Sequence, residues 1–177
     1  MVTLAVAAVM LTLAAPSFVA FMRNSELVSQ ANALVAALNT ARTEAMKRGL
    51  GAMVVPRDGQ SWTSGWRVFV DTNSDSSYTD GTDTVIMEQP ALPSYFKVSA
   101  NGTAGGGSPY VLYNSSGYPV TKNAGFGAVT ISIARTDLSG QSLLDQTRRV
   151  KLASTGRVRT CKPASATDTQ CSNTQND

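Results

Sequence analysis

Two hydrophobic periods divide the chain. From Met1 to about Gly49 apolar residues recur at helical spacing, and after Gly51 they alternate. The opening run MVTLAVAAVMLTLAAPSFVAFM carries no charge over roughly 22 positions, about what a helix needs to cross a bilayer. Charge enters at Arg23 and Glu26, yet the helical pattern persists. Leu27, Ala31, Leu34, Val35, Leu38, Ala41, Arg42 and Ala45 recur at steps of three and four, with Asn24, Ser25, Ser29, Asn32, Asn39, Thr43 and Lys47 on the other side. The pattern predicts an all-round apolar half, 1–22, leading directly into an amphipathic half, 23–49, ended by Gly49 and Gly51. At about 1.5 Å per residue such a rod spans roughly 70 Å. Pro16 removes a backbone donor and crowds the preceding turn, so a kink or a short melted stretch is expected there.

Beyond Gly51 the period falls to two. Ala52 to Val55 reads as a short strand ended by Pro56, with a turn at Arg57–Gln60. Trp66, Val68 and Val70 alternate with Arg67, Phe69 and Asp71, a strand covered on both faces. Val85–Met87, Phe96–Val98 and Tyr110–Tyr113 are further strands, the first two separated by Gln89-Pro90 and Leu92-Pro93. Val129, Ile131 and Ile133 against Thr130, Ser132 and Ala134 give the cleanest alternation, followed by Arg149, Lys151 and Ala153 against Val150 and Leu152. Short turns between strands favour an antiparallel sheet with one face on the amphipathic half of the helix. The predicted fold is α+β, a long N-terminal helix on an antiparallel β domain over 50–160, with a low-hydrophobicity loop at Asn101–Pro109 and a tail at 161–177.

Composition narrows the chemistry. The 177 residues leave enough chain after the helix for one modest domain. A formal charge of +3 does not by itself indicate a nucleic-acid partner, but Arg148, Arg149, Lys151, Arg157, Arg159 and Lys162 cluster near the end with few acids among them. Cys161 and Cys171 lie close together downstream of a membrane-type segment. That suggests an oxidising compartment and one disulfide closing a short loop, against the alternative of two free thiols. Histidine is absent, which removes Ser-His-Asp and Cys-His catalysis and His-containing metal sites. No phosphate-cradling glycine motif occurs, since Gly105-Gly106-Gly107 sits in a Ser/Asn/Pro loop. Neither an enzyme nor a cofactor is expected.

Three smaller signals each admit a plain reading beside a chemical one. Asp71, Asn73 and Asp75 are spaced like the first ligands of a calcium loop, but Ser76 and Thr82 stand where that loop needs a glycine and a bidentate carboxylate. An Asx-rich turn is the plainer expectation. Trp62 and Trp66 flank an alternating strand and are expected in the core rather than on a stacking platform. Arg157 and Arg159 follow Gly156 at alternate positions, so an extended backbone points both guanidiniums to one side, roughly 6–7 Å apart. Arginine's planar fork suits phosphate, and the glycine permits a tight presenting turn.

The helix from MVTLAVAAVM to TARTEAMKRG resembles the N-terminal helix of type IV pilins and pseudopilins, specifically the GspH/FimT family of minor pilins. WTSGWRVFVDTNSDSSYTDGTDTVI, Trp62 to Ile86, is similar to the hairpin of that family, so the resemblance covers the helix, this hairpin and the C-terminal strand. Mature chains of the family begin with a Phe-Thr-Leu-Ile-Glu-Leu type segment behind a basic leader. This sequence starts just inside that motif, as a truncated chain or a late start codon would. The resemblance implies a type IV pilin-like fold, a helix embedded in the inner membrane before assembly, and a periplasmic globular domain. It also implies packing against other major and minor pilins through the helix, near the tip of the fibre. DNA-binding FimT proteins of competence pili carry a Gly-Arg-x-Arg motif that Gly156-Arg157-Val158-Arg159 matches. This implies capture of double-stranded DNA for natural transformation, with Arg148, Arg149, Lys151 and Lys162 in support. The alternative is a FimU-like or GspH-like structural subunit that does not touch DNA.

Overall fold

The change of period at Gly49 is a change of element. The computed structural model describes residues 2–174 and, within the helix, side chains from Phe18 onward. Helix α1 spans Val2–Arg48 and continues through Pro16, so of the kink or short melted stretch expected there the melted stretch does not occur. It stops where Gly49 adopts a φ of 67° and donates its N–H to Ala45 O at 3.0 Å. That left-handed conformation suits a residue without Cβ. The expected membrane-spanning segment, 1–22, falls mostly outside the described side chains. Among the described residues no helix is long and apolar enough to cross a membrane.

Strands β1 (Gly51–Pro56), β2 (Trp66–Asp71) and β3 (Thr84–Gln89) form an antiparallel meander. Then come β4 (Phe96–Ala100), β5 (Val111–Tyr113), β6 (Pro119–Val120) and β7 (Val129–Arg135). The short helix α2 (Gly140–Asp145) precedes the final hairpin of β8 (Thr147–Leu152) and β9 (Val158–Cys161). The strands make two antiparallel sheets where the sequence predicted one. The first sheet has the order β3-β2-β1-β5-β6 and the second β4-β7-β8-β9. Prolines explain the split. Pro90 and Pro93 have no N–H to donate to a ladder, so pairing with β2 ends at Gln89 and the chain emerges to pair with β7 instead.

Both sheets bury one face on the amphipathic half of α1. Leu27, Ala31, Leu34, Leu38, Ala41 and Ala45, all within 1% of full burial, form a stripe at the predicted spacing. They share one core with Val54, Trp66, Val68 and Val70 of the first sheet and Ile131, Ile133, Val150 and Leu152 of the second. Small alanines on the stripe let the helix approach both sheets closely. Trp62 and Trp66 belong to this core, and Trp62 Nε1 donates to Ala104 O at 2.8 Å. Near the other end of the stripe, charge clamps the helix. Arg23 pairs with Asp137 at 2.9 Å, Tyr95 donates its hydroxyl to Glu26, and Arg148 Nη2 reaches Asn24 Oδ1 at 3.1 Å.

Candidate nucleic-acid interface

The register of the final hairpin sorts the basic cluster. Strand side chains alternate between faces, so neighbours in sequence diverge. Arg148 stands opposite Ile133 and turns toward the helix, where Nη1 also donates to Asp145 O and Thr147 O. Arg149 and Lys151 stand opposite Cys161 and Arg159 and turn the other way, onto the outer face of the second sheet. Arg157 precedes β9 with the same parity as Arg159, and the two line one cavity of about 280 Å³ with Ala153 and Thr155.

Exposure separates the cluster further. Arg157 and Lys162 are exposed and Arg159 is partly so. Lys151 is buried to 2% exposure, with Nζ 3.4 Å from Ser172 Oγ, so it does not join the solvent-facing cluster that the sequence suggested. The reason is the tail that crosses this face. Arg149 donates to Cys171 O, and Arg159 Nη2 to Gln170 O at 2.9 Å. Ser132 Oγ meets Asn173 Oδ1 at 3.2 Å, and Thr130 Oγ1 donates to Thr174 O at 3.0 Å. Cys161 and Cys171 are disulfide-bonded, which ties the tail to the edge strand it crosses. Burial lowers the Arg148 and Arg149 guanidinium pKa values below the ordinary arginine range. Lys162 pairs with Asp145 at 2.8 Å, and its ammonium holds that carboxyl below the usual carboxylate range. Arg157 and Arg159 are therefore brought together along one partly exposed site, Arg159 with one guanidinium nitrogen on the tail, while Arg148 and Arg149 are tied by hydrogen bonds and Lys151 is buried.

Gly156 has a structural part as well as a permissive one. Its φ is 83°, its N–H donates to Ala153 O at 2.9 Å, and Ala153 N donates to Arg157 O at 3.0 Å, which closes the hairpin. A Cβ here would lie 2.7 Å from Gly117 O and 3.1 Å from the Arg42 guanidinium carbon. Arg42 Nη1 donates to Gly156 O at 3.1 Å. Sequence reasoning placed Arg42 on the apolar stripe and gave it no role. A lone arginine among alanines and leucines at core spacing was the signal that could have found it.

The acidic loop spends its oxygens on itself. Asp71 accepts from the N–H groups of Asp75 at 3.2 Å and Ser76 at 2.8 Å, and Asp75 accepts from Ser77 N at 2.7 Å and Asn73 Nδ2 at 2.8 Å. Ser74 and Ser76 take positive φ to allow this. Asp71, Asn73 and Asp75 thus close an Asx-type turn rather than converge on a shared point. Among the described residues no group of three or more acidic, cysteine or histidine side chains could hold a metal.

A family model described as type II transport protein GspH matches residues 30–156. None of the curated proteins matches the chain. Among solved structures it is similar to the type IV minor pilin FimU of Pseudomonas aeruginosa, with 17% identity over 77% of this chain and 92% of that one and a TM-score of 0.56. It is likewise similar to the minor pseudopilin EpsH of the Type 2 Secretion System of Vibrio cholerae, with 17% identity, 77% and 97% coverage and a TM-score of 0.55. At that identity the likeness shows the fold, a helix packed on antiparallel sheets in the type IV pilin manner.

Proposed function

The chain belongs to the GspH family of type II transport proteins, and from that premise we propose that it is a minor pilin that captures double-stranded DNA for uptake in natural transformation. Its role as a minor pilin or pseudopilin follows from family and fold. Exposed Phe18, Val19, Phe21 and Met22 on α1 suit packing against the helices of other subunits. Before assembly the same helix anchors the protein in the inner membrane, and the fibre tip is the natural site for a capturing subunit. The observation that carries the DNA reading is the glycine turn. It presents Arg157 and Arg159 on one cavity, where two guanidinium forks can meet phosphate oxygens. Paired guanidiniums recognise phosphodiesters without reading sequence, so binding is weak per subunit and salt-dependent.

The test is a titration of the full chain in detergent with a fluorescent duplex. The expected Kd is about micromolar or weaker. Changing Arg157 and Arg159 together to Gln should weaken it about tenfold or more and reduce the salt slope by about 2. Duplexes of different sequence should bind alike. A double variant that binds as wild type would return the chain to the purely structural role of a pilus or pseudopilus subunit.

A further inference from the structure

The hairpin turn between β5 and β6 meets the arginine turn at their glycines, where a Cβ on Gly156 would lie 2.7 Å from Gly117 O. Asn114 closes it, accepting from Ser116 N and Tyr118 N at 3.0 Å each, while Gly117 N donates to Asn114 O at 2.9 Å. Gly117 has a φ of 79°, and a Cβ there would meet Met46 Sδ at 2.7 Å and Arg42 Nε at 3.2 Å. Gly156, in the other turn, is shielded by Gly117 O and the same guanidinium. Arg42 is thus wedged under both turns and hydrogen-bonded to one of them. Its Nε is buried without a partner, an arrangement that costs free energy. Ser115, Ser116 and Tyr118 of the β5–β6 turn are exposed.

We infer that the two turns form a single phosphodiester-binding surface and that Arg42 is the positioning residue that holds them in register, an inference that rests on the DNA reading above. Arg157 and Arg159 supply the charge. The Ser115 and Ser116 hydroxyls donate to neighbouring phosphate oxygens, as serine does along nucleic-acid backbones. Arg42 fixes the height of the arginine turn through Gly156 O and adds positive potential beneath both turns.

Hydrogen exchange of the full chain in detergent, with and without duplex, tests the surface directly. Amides at 114–118 and at 155–159 should both gain protection. Changing Ser115 and Ser116 together to Ala should weaken duplex binding roughly threefold to tenfold, the worth of one or two neutral hydrogen bonds, without changing the salt slope. Arg42→Ala should weaken it about tenfold with Arg157 and Arg159 intact, and Arg42→Lys, which can still donate to Gly156 O, should restore most of the loss. The serine variant alters only exposed side chains, so it stays informative if Arg42→Ala fails to fold. Protection confined to 155–159, with the serine variant binding as wild type, overturns the shared surface and leaves the arginine turn acting alone. Full binding by the chain with Gln at both 157 and 159 overturns the DNA reading and this inference together.

Discussion

The outer face of the first sheet is apolar, and that of the second is polar. Val85, Phe69, Met53, Leu112, Val120 and Phe126 stand side by side across the first sheet and its edge bridge, one residue per segment. Across the second, Thr130, Lys151 and Arg159 make one row, and Ser132, Arg149 and Cys161 the next. Each face is covered by chain that belongs to neither sheet, but by different chemistry. Over the apolar row lies Tyr78, edge-on to Phe69 with ring centroids 5.3 Å apart and with Arg67 stacked 3.9 Å from its own ring. Over the polar rows lies the tail, offering main-chain carbonyl oxygens to guanidinium donors. Apolar cover holds itself because burial is favourable in any orientation. Hydrogen-bonded cover nets only about 1 kcal/mol per bond, so a strap of polar residues needs the disulfide to keep it down.

The comparison breaks most visibly at Phe69, which is fully buried although it points away from the helix. Phe69→Ala should cost about 3–5 kcal/mol in denaturant unfolding of the full chain in detergent. Ser132→Ala, at a similar depth on the other sheet, should cost about 1 kcal/mol. Equal losses would mean that both covers work by the same physics.

Next in size is the staple. Breaking Cys161–Cys171 by reduction, or by changing both to Ser, should lower stability by about 2–3 kcal/mol, since the bridge closes a separation of 10 residues. The loss should be local. Amides of Cys171 and Ser172 should exchange faster, while those of Met53 and Phe69 keep their protection. A reduced chain whose tail amides stay protected would show that the carbonyl contacts suffice unaided.

How far the sequence carried is clear from the same two faces. The helical stripe, most of the strands and the family were legible because 3.6- and 2-residue periods and the Trp62–Ile86 hairpin are local patterns, whereas the two-residue β6 and the short α2 carry no such period. The apolar outer row was half legible, since Phe69 broke the polar side of its strand. The polar face was not. Arg149, Lys151 and Arg159 have the composition of an exposed basic patch, and only the path of the tail, a long-range matter, shows that Lys151 is buried. The division into two sheets likewise depended on where prolines at 90 and 93 redirect the chain. The candidate residues Gly156, Arg157 and Arg159 were picked out by motif, whereas Arg42 and the turn at 114–117 entered through tertiary contact alone.

The smallest expected effect separates the tail from the sheet it covers. Asp168 caps the disulfide loop, accepting from Ala164 N at 2.8 Å with one oxygen and from Gln170 N at 2.9 Å and Cys171 N at 3.0 Å with the other. Those amides, Ala164 foremost, hold its carboxyl below the ordinary value of 3.8. A carboxylate depressed in the folded state contributes stability that is fully present above 3.8 and is lost as pH falls through the lower folded value. Acid should therefore loosen the loop only below 3.8. The amide shifts of Ala164, Gln170 and Cys171 should move together in that window, while Ile131 in the centre of β7 holds its position. Asp168→Asn should reproduce the acid form at neutral pH, because an amide oxygen accepts these bonds without charge and more weakly. The loop stays closed by its disulfide throughout, so the change should be a local shift and not an unfolding step. A common midpoint at or above 3.8 would mean that the carboxylate gains nothing from those amides, and the tail would then be held by its cystine and its hydrogen bonds to the second sheet.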